Sequence, residues 1–271
     1  MKKACFRILK GIVCKIFFVS CSFLFRYLFN MCTVTLVPVN NNDFILTSNR
    51  DEAPNRMALV PDFYSVNGTK LLFPKDELSG GTWIGVSEKN RLICVLNGGF
   101  VAHKRKEKYR KSRGVVAKDY MIAKNIEEVL NDYDLDDIEP CTMIIVDWNT
   151  NLRFYELVWD GKEKHVSKLP LEPKIWSSST LYNEQMKAER ENWFNTFKIR
   201  NGLDANSIKA FHKGAGGYNL DYGVIMDRGF VKTTSITQVK KTEELVYMFY
   251  ESLQDNVVAN QMFTLPQVIN E

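Results

Sequence analysis

The 271 residues contain no Cys-x-x-Cys pair, and only three histidines, His103, His165 and His212, widely spaced from one another. Metal centres made of those side chains need ligands at short, regular intervals, so no metal site is expected. Six cysteines are present, but Cys5, Cys14 and Cys21 fall within the first 30 residues. The rest hold only Cys32, Cys94 and Cys141, an odd set that argues against a disulfide framework and for a reducing compartment, with a Cys94 to Cys141 bridge the one pairing left open. A charge excess of one sign is missing too. Lys2, Lys3, Arg7, Lys10, Lys15 and Arg26 supply six bases and no acid to residues 1–30, leaving 30 bases against 32 acids in the remainder. That near-balance gives no global field for a nucleic-acid backbone, and nucleic-acid binding is unsupported. There is no internal repeat and no low-complexity tract. With 45% apolar and 12% aromatic residues, the chain reads as a folded protein with its own core, which excludes disorder, collagen and a multi-span membrane protein.

Residues 11–25 form an apolar run behind basic residues, the layout of a secretory signal or a short anchor. Lys15 interrupts the run, and no small-x-small cleavage site follows it. Phe18-Val19-Ser20-Cys21 loosely resembles a bacterial lipoprotein box. The preferred reading is that translation begins at Met31, where the composition changes, so that 1–30 is an over-extended start and 31–271 a single domain. On that reading the protein is cytoplasmic. If the leader is real, it is membrane-anchored or exported, and only then does it touch a membrane.

From Cys32 onward the pattern is short strands broken by turn chemistry. Residues 33–39 and 44–48 flank Asn40-Asn41-Asn42-Asp43 as a hairpin. Asn67-Gly68 joins a second pair, residues 82–87 and 91–97 form a third, and residues 141–148 and 152–159 a fourth, with a further strand near 164–168. Strands are also expected at 222–227, 230–239 and 244–251. Apolar residues at Val115, Ile122, Ile126 and Val129 predict one helix over 113–131, with further helices at 183–197 and 205–212. Hairpins with helices inserted between them argue for an α+β class with largely antiparallel sheets, two of which can stack between helical layers.

The sharpest chemical feature is a position. Met31-Cys32-Thr33 opens the first strand, so removing Met31 leaves a cysteine with a free α-amine. That amine titrates near about 7.7 to 8.0 and a thiol near about 8.5, so the residue carries its own base. The ordinary alternative is a buried apolar cysteine. The first hairpin returns the chain to its origin at Asn49-Arg50-Asp51-Glu52, so Arg50 and Asp51 are expected beside the Cys32 amine and thiol, where an arginine favours the thiolate and an aspartate orients the amine.

Met31-Cys32, Asn49-Arg50-Asp51-Glu52, Gly80-Gly81-Thr82-Trp83-Ile84-Gly85-Val86, the strand ending Leu96-Asn97, and Ser112-Arg113-Gly114 together resemble the NRDE family, also called the transport and Golgi organisation protein 2 family. The likeness is strong over residues 31–120 and collinear to about residue 250. That family is in turn similar to cysteine amidases of the N-terminal nucleophile class, such as penicillin V acylases and bile salt hydrolases. The resemblance implies a four-layer αββα Ntn-hydrolase-like sandwich, with Cys32 as nucleophile, Arg50 and Asp51 as its partners and Asn97 as oxyanion donor. Where those enzymes carry a second asparagine, this chain reads Trp176-Ser177-Ser178-Ser179-Thr180. Asn49, Glu52, Trp83 and Ser178 stand as substrate-binding candidates. Asn97 also reads as a turn residue before Gly98-Gly99, and Trp83, Trp148, Trp159 and Trp176 read first as core.

The stretch from His103 to Arg113 contains seven Lys or Arg, with Glu107 the one acid. Such a run is usually a solvated loop, and near a pocket it can receive a carboxylate, a phosphate, a haem propionate or an anionic surface. Two functions are therefore carried forward. One is an N-terminal cysteine amidohydrolase acting on C–N bonds of small amides. The other, drawn from family links to secretory organisation and to haem or lipid handling, is a non-catalytic binding or trafficking protein for a hydrophobic anionic ligand such as haem or an acyl lipid. No cofactor is implied by any spacing.

Overall fold

The computed structural model describes residues 31–264, so the leader, anchor and lipoprotein readings lie outside the described residues. The first hairpin pairs β1 (Met31–Pro38) with β2 (Phe44–Glu52). Its turn is closed by the Asn40 side chain, whose Oδ1 accepts the amides of Asn42 and Asp43, each at 2.7 Å. β3 (Ala58–Val66) and β4 (Thr69–Asp76) join through Asn67-Gly68, both at positive φ, a conformation that asparagine and glycine adopt most readily. β5 (Ile84–Ser87), β6 (Arg91–Asn97), β7 (Cys141–Asp147), β8 (Arg153–Trp159) and β9 (Lys164–Leu169) follow, each antiparallel to the last, and make a seven-stranded sheet in the order β3-β4-β5-β6-β7-β8-β9. β10 (Lys174–Ser177), β11 (Lys232–Thr242), β12 (Leu245–Ser252) and β13 (Val258–Thr264) complete a six-stranded sheet, β10-β1-β2-β11-β12-β13.

Strand alternation divides the interior into layers. Cys32, Val34 and Leu36 of β1 meet Ile84, Leu92, Cys94 and Ile144 in a core between the two sheets. The opposite face of the seven-stranded sheet, including Ile93, Val95, Cys141 and Met143, packs against α1 (Arg113–Ile122) and α2 (Ile126–Asp132). The opposite face of the six-stranded sheet packs against α3 (Glu184–Arg200) and α4 (Ala205–Gly214) through Val37, Ile175, Phe194 and Phe211. The result is an α+β, four-layer αββα sandwich with antiparallel sheets. Every residue of β2 is buried because both of its faces are covered. All three described cysteines are free, and Cys94 and Cys141 sit on opposite faces of one sheet, which removes the bridge left open above.

Three expectations need correction. The single helix over 113–131 is two helices: the buried Arg91 guanidinium donates to the last carbonyls of α1, Tyr120 O at 2.6 Å and Ala123 O at 2.9 Å, and Asn125 then caps a new start. Residues 222–227 are not a strand. Their carbonyls are taken by side chains instead, Tyr222 O and Gly223 O by Arg190 and Val224 O by Asn49. β10 and β13 were not anticipated: β10 is four residues long, and β13 is mostly exposed, its alternating burial not matched by an alternation of apolar and polar residues.

Candidate functional site

Cys32 is the second residue of β1, paired with Arg50 of β2 across the hairpin, and its carbonyl accepts the Ser178 amide at 3.2 Å. Side chains opposite one another in an antiparallel pair share a face, so the Arg50 guanidinium lies on the thiol's side. It does not hang free. Its Nη2 donates to Asp76 Oδ2 at 2.8 Å and reaches Glu52 Oε2 at 3.5 Å, while its plane sits 4.7 Å over the Trp83 ring. Arg56 donates to the same Asp76 oxygen at 2.8 Å and lies 3.3 Å from Glu52. Two arginines and two carboxylates thus form a neutral, buried lattice lining a cleft of about 230 Å³ that Cys32 also lines.

Burial holds the Cys32 thiol well above its ordinary range, with Cys94 and Asp51 adding to the effect and Arg50 opposing it. Asn97 ends β6 at the same cleft, 8% exposed, and its side-chain amide has no hydrogen-bond partner among the described residues. Its backbone carbonyl is fixed by Ser178 Oγ at 2.6 Å. Trp83 lines the cleft beside Arg50, whereas Ser178 lies behind the lining, joining Cys32 to Asn97. Glu52 borders the cleft with both oxygens engaged, by Ala53 N and the two arginines.

Asp51 and Asn49 take the other face of β2. Asp51 is opposite Met31, at the edge of the cleft, with Oδ2 accepting from Tyr182 OH at 2.9 Å and Oδ1 from Thr233 Oγ1 at 2.7 Å. Burial pushes its carboxyl up to about 6 despite the pull of Arg190 and these two hydroxyls. Arg50 and Asp51 are therefore not side by side: one flanks the thiol, the other lies under the residue that precedes it. Asn49 is turned away from the cleft. Its Nδ2 donates to His212 O at 2.9 Å and Val224 O at 2.7 Å, and its Oδ1 accepts from His212 Nδ1 at 2.8 Å. Burial pushes the His212 imidazole down to about 3, so it is neutral, and Thr35 Oγ1 at 2.8 Å completes its bonding.

Three residues not anticipated from the sequence hold this arrangement. Tyr182 and Thr233 grip Asp51, and the fully buried Arg190 stacks 3.6 Å from the Tyr182 ring centre while bonding Thr33, Tyr222 O and Gly223 O. A bulge in β11 between Thr233 and Ser235 sends Thr233 to Asp51 and Thr234 to Arg50. Nothing local in the sequence marks these residues, because each reaches β1 or β2 across more than 130 positions. The basic run is not a free loop: it forms part of the cleft's wall, with Lys106, Arg110 and Lys111 paired to Asp137, Asp134 and Asp119.

Among solved structures, a variant of conjugated bile acid hydrolase from Clostridium perfringens is similar to this chain at a TM-score of 0.50 and 12% identity, covering 85% of this chain and 92% of that one. That likeness establishes the fold. Penicillin V acylase from Agrobacterium tumefaciens gives a TM-score of 0.48 at 10% identity over 84% of each chain. In sequence, the chain is 38% identical over 64 residues to the Transport and Golgi organization protein 2 homolog of Bos taurus, a match spanning 22% of this chain and 23% of that relative's length. The family model for Transport and Golgi organisation 2 matches residues 31–205, well over half of the sequence. The chain therefore belongs to the Transport and Golgi organisation 2 family.

Proposed function

We propose that this protein hydrolyses a C–N bond of a small amide, with Cys32 as an N-terminal nucleophile. The observation that carries the reading is that the Cys32 thiol and the unpartnered Asn97 amide border one cleft that none of the three histidines lines. A buried thiol needs a base, and the α-amine of Cys32, freed once Met31 is removed, is the group nearest to hand. Sγ attacks the carbonyl carbon and the amine takes the thiol proton. The oxyanion accepts from the Asn97 amide, a contact worth about 3 kcal/mol in a dry site. Collapse of the adduct breaks the C–N bond as the α-ammonium returns the proton to the leaving amine, and water then hydrolyses the thioester by the same shuttle. On this reading Arg50 offsets the developing thiolate charge and Asp51 holds the ammonium. The structural kinship with a conjugated bile acid hydrolase supports this choice of reaction class.

The test is an acyl-amide screen on protein whose first residue has been mapped by intact mass. Chains beginning at Cys32 are expected to turn over an amide, and Cys32→Ala to lower kcat by at least about a thousandfold. Full turnover by Cys32→Ala sinks the proposal. The second reading, a carrier for a hydrophobic anionic ligand such as haem or an acyl lipid, is favoured by the basic run, which brings Arg105, Lys108, Lys111 and Arg113 to the wall of the cleft that Cys32 lines. It requires tight ligand retention in Cys32→Ala and no turnover.

A further inference from the structure

We propose that the outer wall of the cleft is a subsite for an anionic group, carboxylate or phosphate, at the far end of the substrate, held by Lys108, Arg113 and the N-terminal end of α1. The proposal deepens the hydrolase reading, since it names the class of small amide: one carrying an acid tail.

Two glycine-containing segments bring the wall to the cleft. Gly81 and Gly114 touch, and a Cβ built on Gly114 would lie 2.7 Å from both the backbone nitrogen and the backbone oxygen of Thr82. Only a residue without a side chain lets the start of α1 approach the Gly80-Gly81-Thr82-Trp83 segment so closely. Residues 112–114 consequently border the cleft. Ser112 caps α1 by accepting from Val115 N, while the amides of Arg113 and Gly114 have no acceptor among the described residues. Their dipoles, with no acidic residue in the first turn, favour an anion.

The side chains add charge in excess. Arg113 and Arg105 share one carboxylate with His103: Glu139 lies 3.4 Å from Arg113, 3.6 Å from Arg105 and 3.4 Å from His103. Lys108 lines the cleft and has no carboxylate partner among the described residues, unlike Lys106, Arg110 and Lys111 of the same run. Glu107 is the only other acid on this wall, so three cations stand against two carboxylates. Elsewhere in the same cleft Arg50 and Arg56 are already neutralised by Glu52 and Asp76, which leaves Lys108 and the start of α1 as the place where an incoming anion gains most. Asn97, nine-tenths buried and unpartnered, borders the same space, so a ligand between Cys32 and Lys108 would meet a waiting amide.

The experiment measures binding to the full chain carrying Cys32→Ala, so that turnover plays no part. The probes are hexanamide, its acid-tailed counterpart adipamate, and 6-phosphonohexanamide. One or both anionic probes are expected to bind about five- to tenfold more tightly than hexanamide, with a preference that fades as salt rises. The preference should vanish in Lys108→Glu and persist in Lys108→Arg. Lys108 is exposed, so neither variant is expected to disturb folding. Which tail is preferred tells a carboxylate from a phosphate source. Equal affinities for charged and neutral probes, a preference untouched by Lys108→Glu, or no binding of any probe would overturn the subsite. Amide turnover without an acid-tail preference sinks the subsite alone, whereas a preference without turnover in the Cys32 form sinks the hydrolase alone.

Discussion

Replacing Asn49 with alanine strands two backbone carbonyls, His212 O and Val224 O, and removes the acceptor that fixes the His212 ring. Buried groups left unpaired cost about 1 to 3 kcal/mol each before relaxation, so Asn49→Ala is expected to lose about 2 to 4 kcal/mol in urea unfolding while leaving the KM for any substrate unchanged. A raised KM with unchanged stability would instead make Asn49 a binding residue. The contrast with its neighbour explains what could be read in advance. Hairpin geometry correctly brought Arg50 opposite Cys32, because register follows from a turn only five residues long. It also determined that Asn49 and Asp51 point the other way, yet a run of four polar residues invites the assumption that all serve one site. Tyr182, Arg190 and Thr233 were invisible for a different reason: long-range partners leave no local pattern.

Among the elements, hairpins were the most legible, since alternation and turn residues are encoded within about 20 positions. The break between α1 and α2 was not, because Arg91, from a distant strand, supplies the carbonyl-end cap and apolar spacing continues across the gap. Residues 222–227 looked like a strand by composition but surrendered their carbonyls to Arg190 and Asn49. The meeting of α1 with the segment before β5 gives a direct test. Gly114→Ala gains about 1 kcal/mol of helix propensity but forces a methyl to within 2.7 Å of the Thr82 backbone, and backbone cannot rotate aside. Overpacking of this kind costs about 1 to 3 kcal/mol, so the clash wins, and the melting temperature should fall by several degrees. A variant that melts at or above the parent temperature would mean that α1 does not seat here.

For the whole molecule, two buried groups beneath β1 and β2 shape stability against pH in opposite senses. Asp51 titrates at about 6 in the fold instead of 3.8, so the folded chain keeps a proton that the unfolded chain gives up. Stability on this account falls as pH rises from about 4 to 6, by an amount on the order of 3 kcal/mol. His212 titrates at about 3 instead of 6.5; its contribution is complete above 6.5 and is lost as pH falls towards 3, on the order of 5 kcal/mol. Between pH 4 and 6 the two slopes oppose each other, and below 4 the histidine's is joined by the loss from carboxylates held below their ordinary range, Asp43, Asp76 and Glu139 among them. Urea midpoints of the parent should thus change little from pH 4 to 6, while Asp51→Asn should uncover a rise across that window. Identical profiles for the two would refute the assignment. The same division between layers bears on how the sequence can drift. The layer under α1 and α2 is built from Val116, Tyr120, Met121 and Leu130 against aliphatic strands, where exchanges of similar volume are cheap. Under α3 and α4, Thr33, Thr35, Asn49, Asp51, Arg190 and His212 are each tied to a named partner, so single replacements there leave an orphan and compensating changes must arrive together. Variation among descendants of this chain should collect on the first side of the sandwich and stall on the second.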